Sequence, residues 1–207
     1  MLTAAPTLPR LDSLFEIPFT NEPRPALRRS GWRGRPRPAQ NARVTLDPEP
    51  ERPRMFGGHL EPVRLPWSWA ADRLVTARNY WIATTRPSGR PHSRPVWGVW
   101  LEDAFYFSTG SLAAENLEAN AEITVHLESG SEVVIIEGTA SQVADVPLVE
   151  LVAAAYNEKY RWDVDPHDMP GPLYAVRPRV AFGWVSDSSG LDRGSAFHGT
   201  ATRWRFG

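Results

Sequence analysis

YWIATTRPSGRPHSRPVWGVWLEDAFYFSTG, residues 80–110, decides the fold. Tyr80 to Arg86 is β-branched and aromatic, Pro87-Ser88-Gly89 is a turn sequence, and His92 to Leu101 alternates through Val96, Trp97, Val99 and Trp100. Glu102-Asp103 turns the chain again, and Ala104 to Ser108 forms a third strand. Strands in such quick succession make a meander.

The reading extends in both directions. Upstream, Ser68 is a helix N-cap before Trp69 to Arg78, whose apolar residues recur at helical spacing. Downstream, Ser111 caps a short helix to about Ala119, and strands Ile123 to Glu128 and Glu132 to Val143 flank the turn Ser129-Gly130-Ser131. Pro147 opens a helix from Leu148 to about Tyr160. The chain closes with strands Leu173 to Val176, Val180 to Val185 and Ala201 to Phe206. Seven or eight short antiparallel strands with small helices between them predict a mainly β closed barrel rather than a parallel α/β sheet.

Composition sets the outer limits. The 207 residues carry a formal charge of -1, enough for one domain and a tail. Residues 1–66 hold 12 of the 20 prolines and 11 Arg against 7 acids, so residues 1–60 are expected to be a disordered tail and 67–207 the folded domain. Arg24 to Arg43 has seven arginines, no acid and Trp32, a composition able to contact nucleic acid phosphates. The preferred account is a dispensable tail or the translation of GC-rich upstream sequence, with Met55 as an alternative start, and nucleic acid is not taken as a partner. The longest apolar run, Leu151 to Tyr156, is far below the ~20 residues of a spanning helix, and the first thirty residues lack a signal-peptide core. No membrane partner and a cytoplasmic location are expected.

Motifs exclude more than they assign. The absence of cysteine removes disulfides, thiolate zinc sites, iron–sulfur clusters and cysteine nucleophiles. His126-Leu127-Glu128 has the H-x-E look of a zinc deaminase, but the cysteines that chemistry needs do not exist here. Five scattered histidines never reach ligand spacing, so no metal is expected, and the nucleotide-binding and hydrolase signatures are missing. A planar ligand fits better, because Trp97, Trp100, Trp162, Trp184 and Trp204 are large rings that either stack on a heterocycle or fill the core.

Gly89 to Trp97, Phe105 to Gly110, Asn116 to Asn120, Val133 to Gly138, Ala155 to Tyr160 and Ala201 to Phe206 together resemble the pyridoxamine 5'-phosphate oxidase-like split-barrel family, above all its actinobacterial flavin and deazaflavin branch. The resemblance implies a six-stranded split β-barrel that forms a homodimer, with FMN or the deazaflavin coenzyme F-420 in clefts between subunits, or haem in a few members. It implies a phosphate-holding Arg94, with Pro95, Val96 and Trp97 along the ring. Ser108, Thr109, Gly110 and Ser111 occupy the family's polar segment, Trp184 its P-x-x-x-x-F-W aromatic, and Arg205 lies near its C-terminal arginine. An arginine suits a phosphate because its planar fork makes two parallel charge-assisted bonds.

The departures bear on function. Leu112-Ala113 stands where phosphate-binding members have Arg-Lys, and Glu115 replaces a base. The Arg-x-His substrate clamp is missing around Leu191-Asp192-Arg193, which argues against oxidation of pyridoxamine phosphate itself. The expectation is a hydride-exchanging oxidoreductase acting on a small unsaturated or heteroaromatic substrate. No catalytic acid or base is assigned, Tyr156 and His92 being weak candidates for proton delivery. The alternative is a non-catalytic module binding a flavin, haem or another ligand.

Overall fold

A computed structural model describes residues 46–54, 63–169 and 171–207. The arginine run 24–43, Trp32 and Met55 lie outside the described residues. Among the described residues, nine strands and four helices follow in the order β1 (Pro50–Glu51), α1 (Trp67–Thr76), β2 (Tyr80–Thr85), β3 (Pro91–Val96), β4 (Val99–Leu101), β5 (Ala104–Ser108), α2 (Leu112–Ala119), β6 (Glu122–His126), β7 (Glu132–Gln142), α3 (Val146–Tyr160), β8 (Leu173–Val185), α4 (Ser195–Thr200) and β9 (Thr202–Arg205). Every pairing is antiparallel.

The split barrel is readable from register. β8 pairs with β7 along its length, with β5 through Leu173 to Val176, and with β9 through Val180 to Gly183. From β8 the order runs β7, β6, β2, β3 on one side and β5, β4 on the other. β3 and β4 are separated in sequence only by Trp97 and Gly98, so those two residues join the ends of the sheet. Counting the bent β3–β4 segment once, the barrel strands are that segment, β5, β8, β7, β6 and β2, the six expected.

Pleat alternation makes two cores. Phe105 and Phe107 face the barrel interior with Tyr80, Ile82, Val125 and Ile136, while Ala104 and Tyr106 face α3 through Val152, Tyr156 and Tyr160. Trp67 is the hub of the first core, edge-on to Trp204, Trp100 and Phe206 at centroid separations of 5.5, 6.1 and 4.8 Å. Such aromatic pairs add to the burial of their large apolar area.

Several boundaries differ from expectation. The first helix starts at Trp67 behind an extended Pro66 rather than after a Ser68 cap, because burial of Trp67 draws that residue into the helix. It ends at Thr76, leaving Arg78 outside it. The strand expected over 92–101 is two, broken at Gly98, where a Cβ would lie 2.3 Å from the Phe105 ring. Conversely, 173–176 and 180–185 are one strand: register slips between Glu137 and Gly138, Arg179 is the bulged residue, and Pro178 sits at this irregularity. Pro50 and Glu51, within the segment expected as a tail, pair with Trp204 and Arg203. Glu51 also forms ion pairs with Arg203 and Arg205.

Candidate functional site

A cavity of about 470 Å³ opens where β3 passes into β4. Arg94, Pro95, Val96 and Trp97 of this seam line it, with Ser108 and Thr109 from the end of β5. Six of the ten residues expected at a cofactor are thus gathered in one place. The alternation of β3 explains part of this. Arg94 pairs in register with Ile82 and Val96 with Tyr80, two central core residues, so the backbone beneath the cavity is anchored.

The Arg94 side chain has no ion pair or hydrogen bond among the described residues. A guanidinium beside hydroxyl groups with no carboxylate holding it is suited to an anion. The hydroxyls are less free than the sequence suggests. Ser108 Oγ donates to Gly171 O at 2.9 Å, leaving it only lone pairs for a ligand, and Thr109 Oγ1 shares a 2.9 Å bond with Ser111 Oγ. Ser111 also accepts from Ala113 N, confirming it as the N-cap of α2. Gly110 is held against Gly171, where a Cβ would lie 2.6 Å from Gly110 N. Ala113 and Asn116 at the start of α2 are fully buried, and Asn116 Nδ2 donates to Thr84 Oγ1 at 2.9 Å. That helix start therefore presents no cation.

The opposite character comes from rings. Trp97 stacks on Tyr160 with centroids 4.6 Å apart, and Trp162 meets Trp97 edge-on at 5.6 Å. Both indoles remain open, 43% and 46% exposed, whereas Trp100 and Trp204 are core filler. Trp81 completes the aromatic wall, and Val164 and Met169 add apolar surface from the connection after α3. Trp184 packs edge-on against Phe197, and Arg205 joins Glu51 at the β1 edge; neither lines the cavity.

Tyr156 reaches the cavity, but its hydroxyl donates to Trp97 O at 2.8 Å and burial pushes its pKa upward, so it is poorly placed to release a proton. His92 is beside Thr84, its Nδ1 3.4 Å from the hydroxyl, and does not line the cavity. Sequence reasoning missed Asn79, Trp81 and Glu128. Asn79 Nδ2 donates to Glu128 Oε2 at 3.2 Å, which puts a carboxylate in the wall. The H-x-E run that carries Glu128 was the available signal, and its neighbour His126 stacks on Trp81. Among the described residues no group of three potential metal ligands gathers, and no helix is long and apolar enough to cross a membrane.

Comparison with known proteins gives a family and a fold. A family model described as pyridoxamine 5'-phosphate oxidase matches residues 70–205, a span that includes every strand except β1. Among solved structures, a conserved hypothetical protein of Mycobacterium tuberculosis is 21% identical with a TM-score of 0.55, over 66% of this chain and 94% of that one. An F420 reductase is 19% identical over 53% of this chain and 94% of its own, with a TM-score of 0.42. The haem storage protein HutZ of Vibrio cholerae is 20% identical over 54% of this chain and 86% of its own, with a TM-score of 0.45. No curated protein matches the sequence.

Proposed function

Since the chain belongs to the pyridoxamine 5'-phosphate oxidase family, we propose that it is an oxidoreductase whose seam cavity holds a phosphate-bearing flavin or deazaflavin, FMN or coenzyme F-420. The observation that carries this reading is an unpaired Arg94 opening into a cavity walled by Trp81, Trp97 and Trp162. Such a lining suits both an anion and a planar ring. The residues therefore fit the group.

Arg94 would hold the phosphate with the Thr109 hydroxyl, while Gly110 and Ser111, which do not line the cavity, would support Thr109 through the Thr109–Ser111 bond. Val96 and Trp97 would lie along the ring system, and Trp162, Val164 and Met169 would exclude water from it. When bound, the cofactor supplies hydride exchange with a small unsaturated or heteroaromatic substrate, and the protein supplies orientation and electrostatics. The Tyr156 hydroxyl, committed to Trp97 O, positions that wall and moves no proton. Pyridoxamine phosphate is not the proposed substrate. At the position of the missing clamp, Asp192 is spent on the Gly194 and Ala196 N–H groups and Leu191 is exposed.

The working unit in this reading is a cytoplasmic homodimer, the second subunit covering the open side on which Trp97 and Trp162 are exposed. A second reading, a binding module without turnover, draws on Leu112, Ala113 and Glu115, which leave Arg94 as the one cation lining the cavity among the described residues. Turnover separates the two. Protein loaded with reduced cofactor is mixed with quinone, nitroaromatic and enone acceptors; oxidation faster than that of free cofactor supports the enzyme, and no acceleration with any acceptor favours the module.

A further inference from the structure

Lys159 is the only lysine of the chain, against 22 arginines, and it points inward from the last turn of α3. Its Nζ donates to Gly98 O at 2.9 Å and to Tyr80 Oη at 2.8 Å. No carboxylate pairs with it among the described residues. The groups that face it are the rings of Tyr80 from β2 and Tyr160 from α3, with Tyr156 one turn back and Arg78 ahead of β2 as a second cation.

This ammonium is one of two side-chain donors at Gly98 O. Gly98 O is also 2.8 Å from Tyr160 Oη, whose single proton is shared with Arg78 O at 2.7 Å, and Tyr80 Oη donates its own proton to Leu74 O. Removing Lys159 would leave Tyr80 Oη satisfied and leave Gly98 O and Arg78 O to share one hydroxyl proton. Its charge is a cost to the fold: desolvation, with Arg78 second, lowers its pKa to about 8. A half-buried cation with no carboxylate partner among the described residues invites an explanation at the site, and the site is adjacent. Gly98 follows Trp97, whose carbonyl is already held by Tyr156 and whose indole lies on Tyr160. Tyr156, Lys159 and Tyr160 thus grip the two seam residues from one face of α3.

We propose that Lys159 is a positioning residue for the cavity, tying the end of α3 and Tyr80 of β2 to Gly98 so that the Trp97 indole presents a fixed face to a planar ligand. The indole's fixed position stands independently; its consequence for binding rests on the cofactor reading above.

The test compares wild type with Lys159→Met, a similar volume without donors. Three readouts are taken on the full chain: thermal stability, the ¹⁹F resonance of 5-fluorotryptophan at position 97 assigned through Trp97→Phe, and affinity for FMN and coenzyme F-420. The expected result is unchanged or raised stability, a shifted or broadened Trp97 resonance, and affinity weakened roughly 2- to 30-fold, the range for residues that act without touching a ligand. A large loss of stability would make Lys159 an ordinary structural tie and overturn the proposal. So would an unmoved Trp97 resonance, or affinity equal to that of a binding-competent wild type. If neither protein binds either cofactor while the resonance moves, the positioning role stands and the cofactor reading fails. A measurement on wild type alone covers the case of a variant that does not fold. The single lysine side-chain NMR signal is expected to titrate near pH 8, well below the ordinary ~10.4 of a solvated lysine. Titration above pH 10 would show a solvated amine and overturn the proposal.

Discussion

Replacing Arg94 with alanine separates the phosphate from the ring. The Arg94 side chain makes no hydrogen bond or ion pair within the described protein, so its loss leaves no partner unsatisfied and stability is expected to stay within about 0.5 kcal/mol. For a phosphate ligand the loss is specific. A hydrogen bond to a charged group contributes about 1.5–3 kcal/mol, and the partial exposure of Arg94 argues for counting one such term rather than two, so FMN affinity should fall roughly 10- to 150-fold. Riboflavin, which has the same ring and no phosphate, should change by less than about twofold in the same variant. Quenching of tryptophan emission reports both titrations, since Trp81, Trp97 and Trp162 line the cavity. Equal weakening of FMN and riboflavin would place Arg94 on the ring. An unchanged FMN affinity with intact fold would refute the anion assignment.

Further expectations concern the seam, the rings and the edge. Gly98→Ala drives a Cβ against the buried Phe105 ring and to 2.8 Å from Tyr106 O, so urea unfolding should show a loss of about 1–3 kcal/mol; a smaller loss would mean the seam yields. Trp162→Ala removes an exposed ring, so stability should hold while affinity for FMN and riboflavin falls together by about 0.5–1.5 kcal/mol, or roughly 2- to 12-fold. Arg203, with Arg205 adding to it, holds the Glu51 carboxyl below its usual range, and Arg179 does the same for Glu122. Their contribution is present above the ordinary carboxylate pKa and fades as pH falls through the lowered folded values. Glu51→Gln together with Glu122→Gln should therefore flatten the stability profile below about pH 4.5, and a profile parallel to wild type would contradict this.

The hairpins were legible because their turn chemistry is local: Gly89 adopts φ 80° in the 87–89 turn, and Ser111 caps α2 as its position suggests. Features set by distant packing were not. The break at Gly98 depends on a Phe105 ring brought over it, and β8 runs through Pro178 because a bulge opposite Gly138 absorbs the missing N–H. A two-residue strand such as Pro50–Glu51 has no period to read, and α4 begins behind Gly194 without a side-chain cap. For the site, Arg94 to Trp97 and Ser108 to Thr109 were recoverable from resemblance in single segments. Asn79, Trp81 and Glu128 enter the wall through the pairing of β2 with β6 and the following hairpin, and Val164 and Met169 through a connection of irregular backbone. Trp184 and Arg205 carried motif positions, yet here one packs on Phe197 and the other holds Glu51.

The central claim is that the seam cavity binds a phosphate-bearing flavin or deazaflavin. Titration of purified, ligand-stripped protein with FMN, coenzyme F-420 and haem, followed by absorbance and tryptophan quenching, tests it most directly. The account predicts saturable binding of FMN or coenzyme F-420 that Arg94→Ala weakens. Saturable binding of haem alone, or of none of the three, would contradict it.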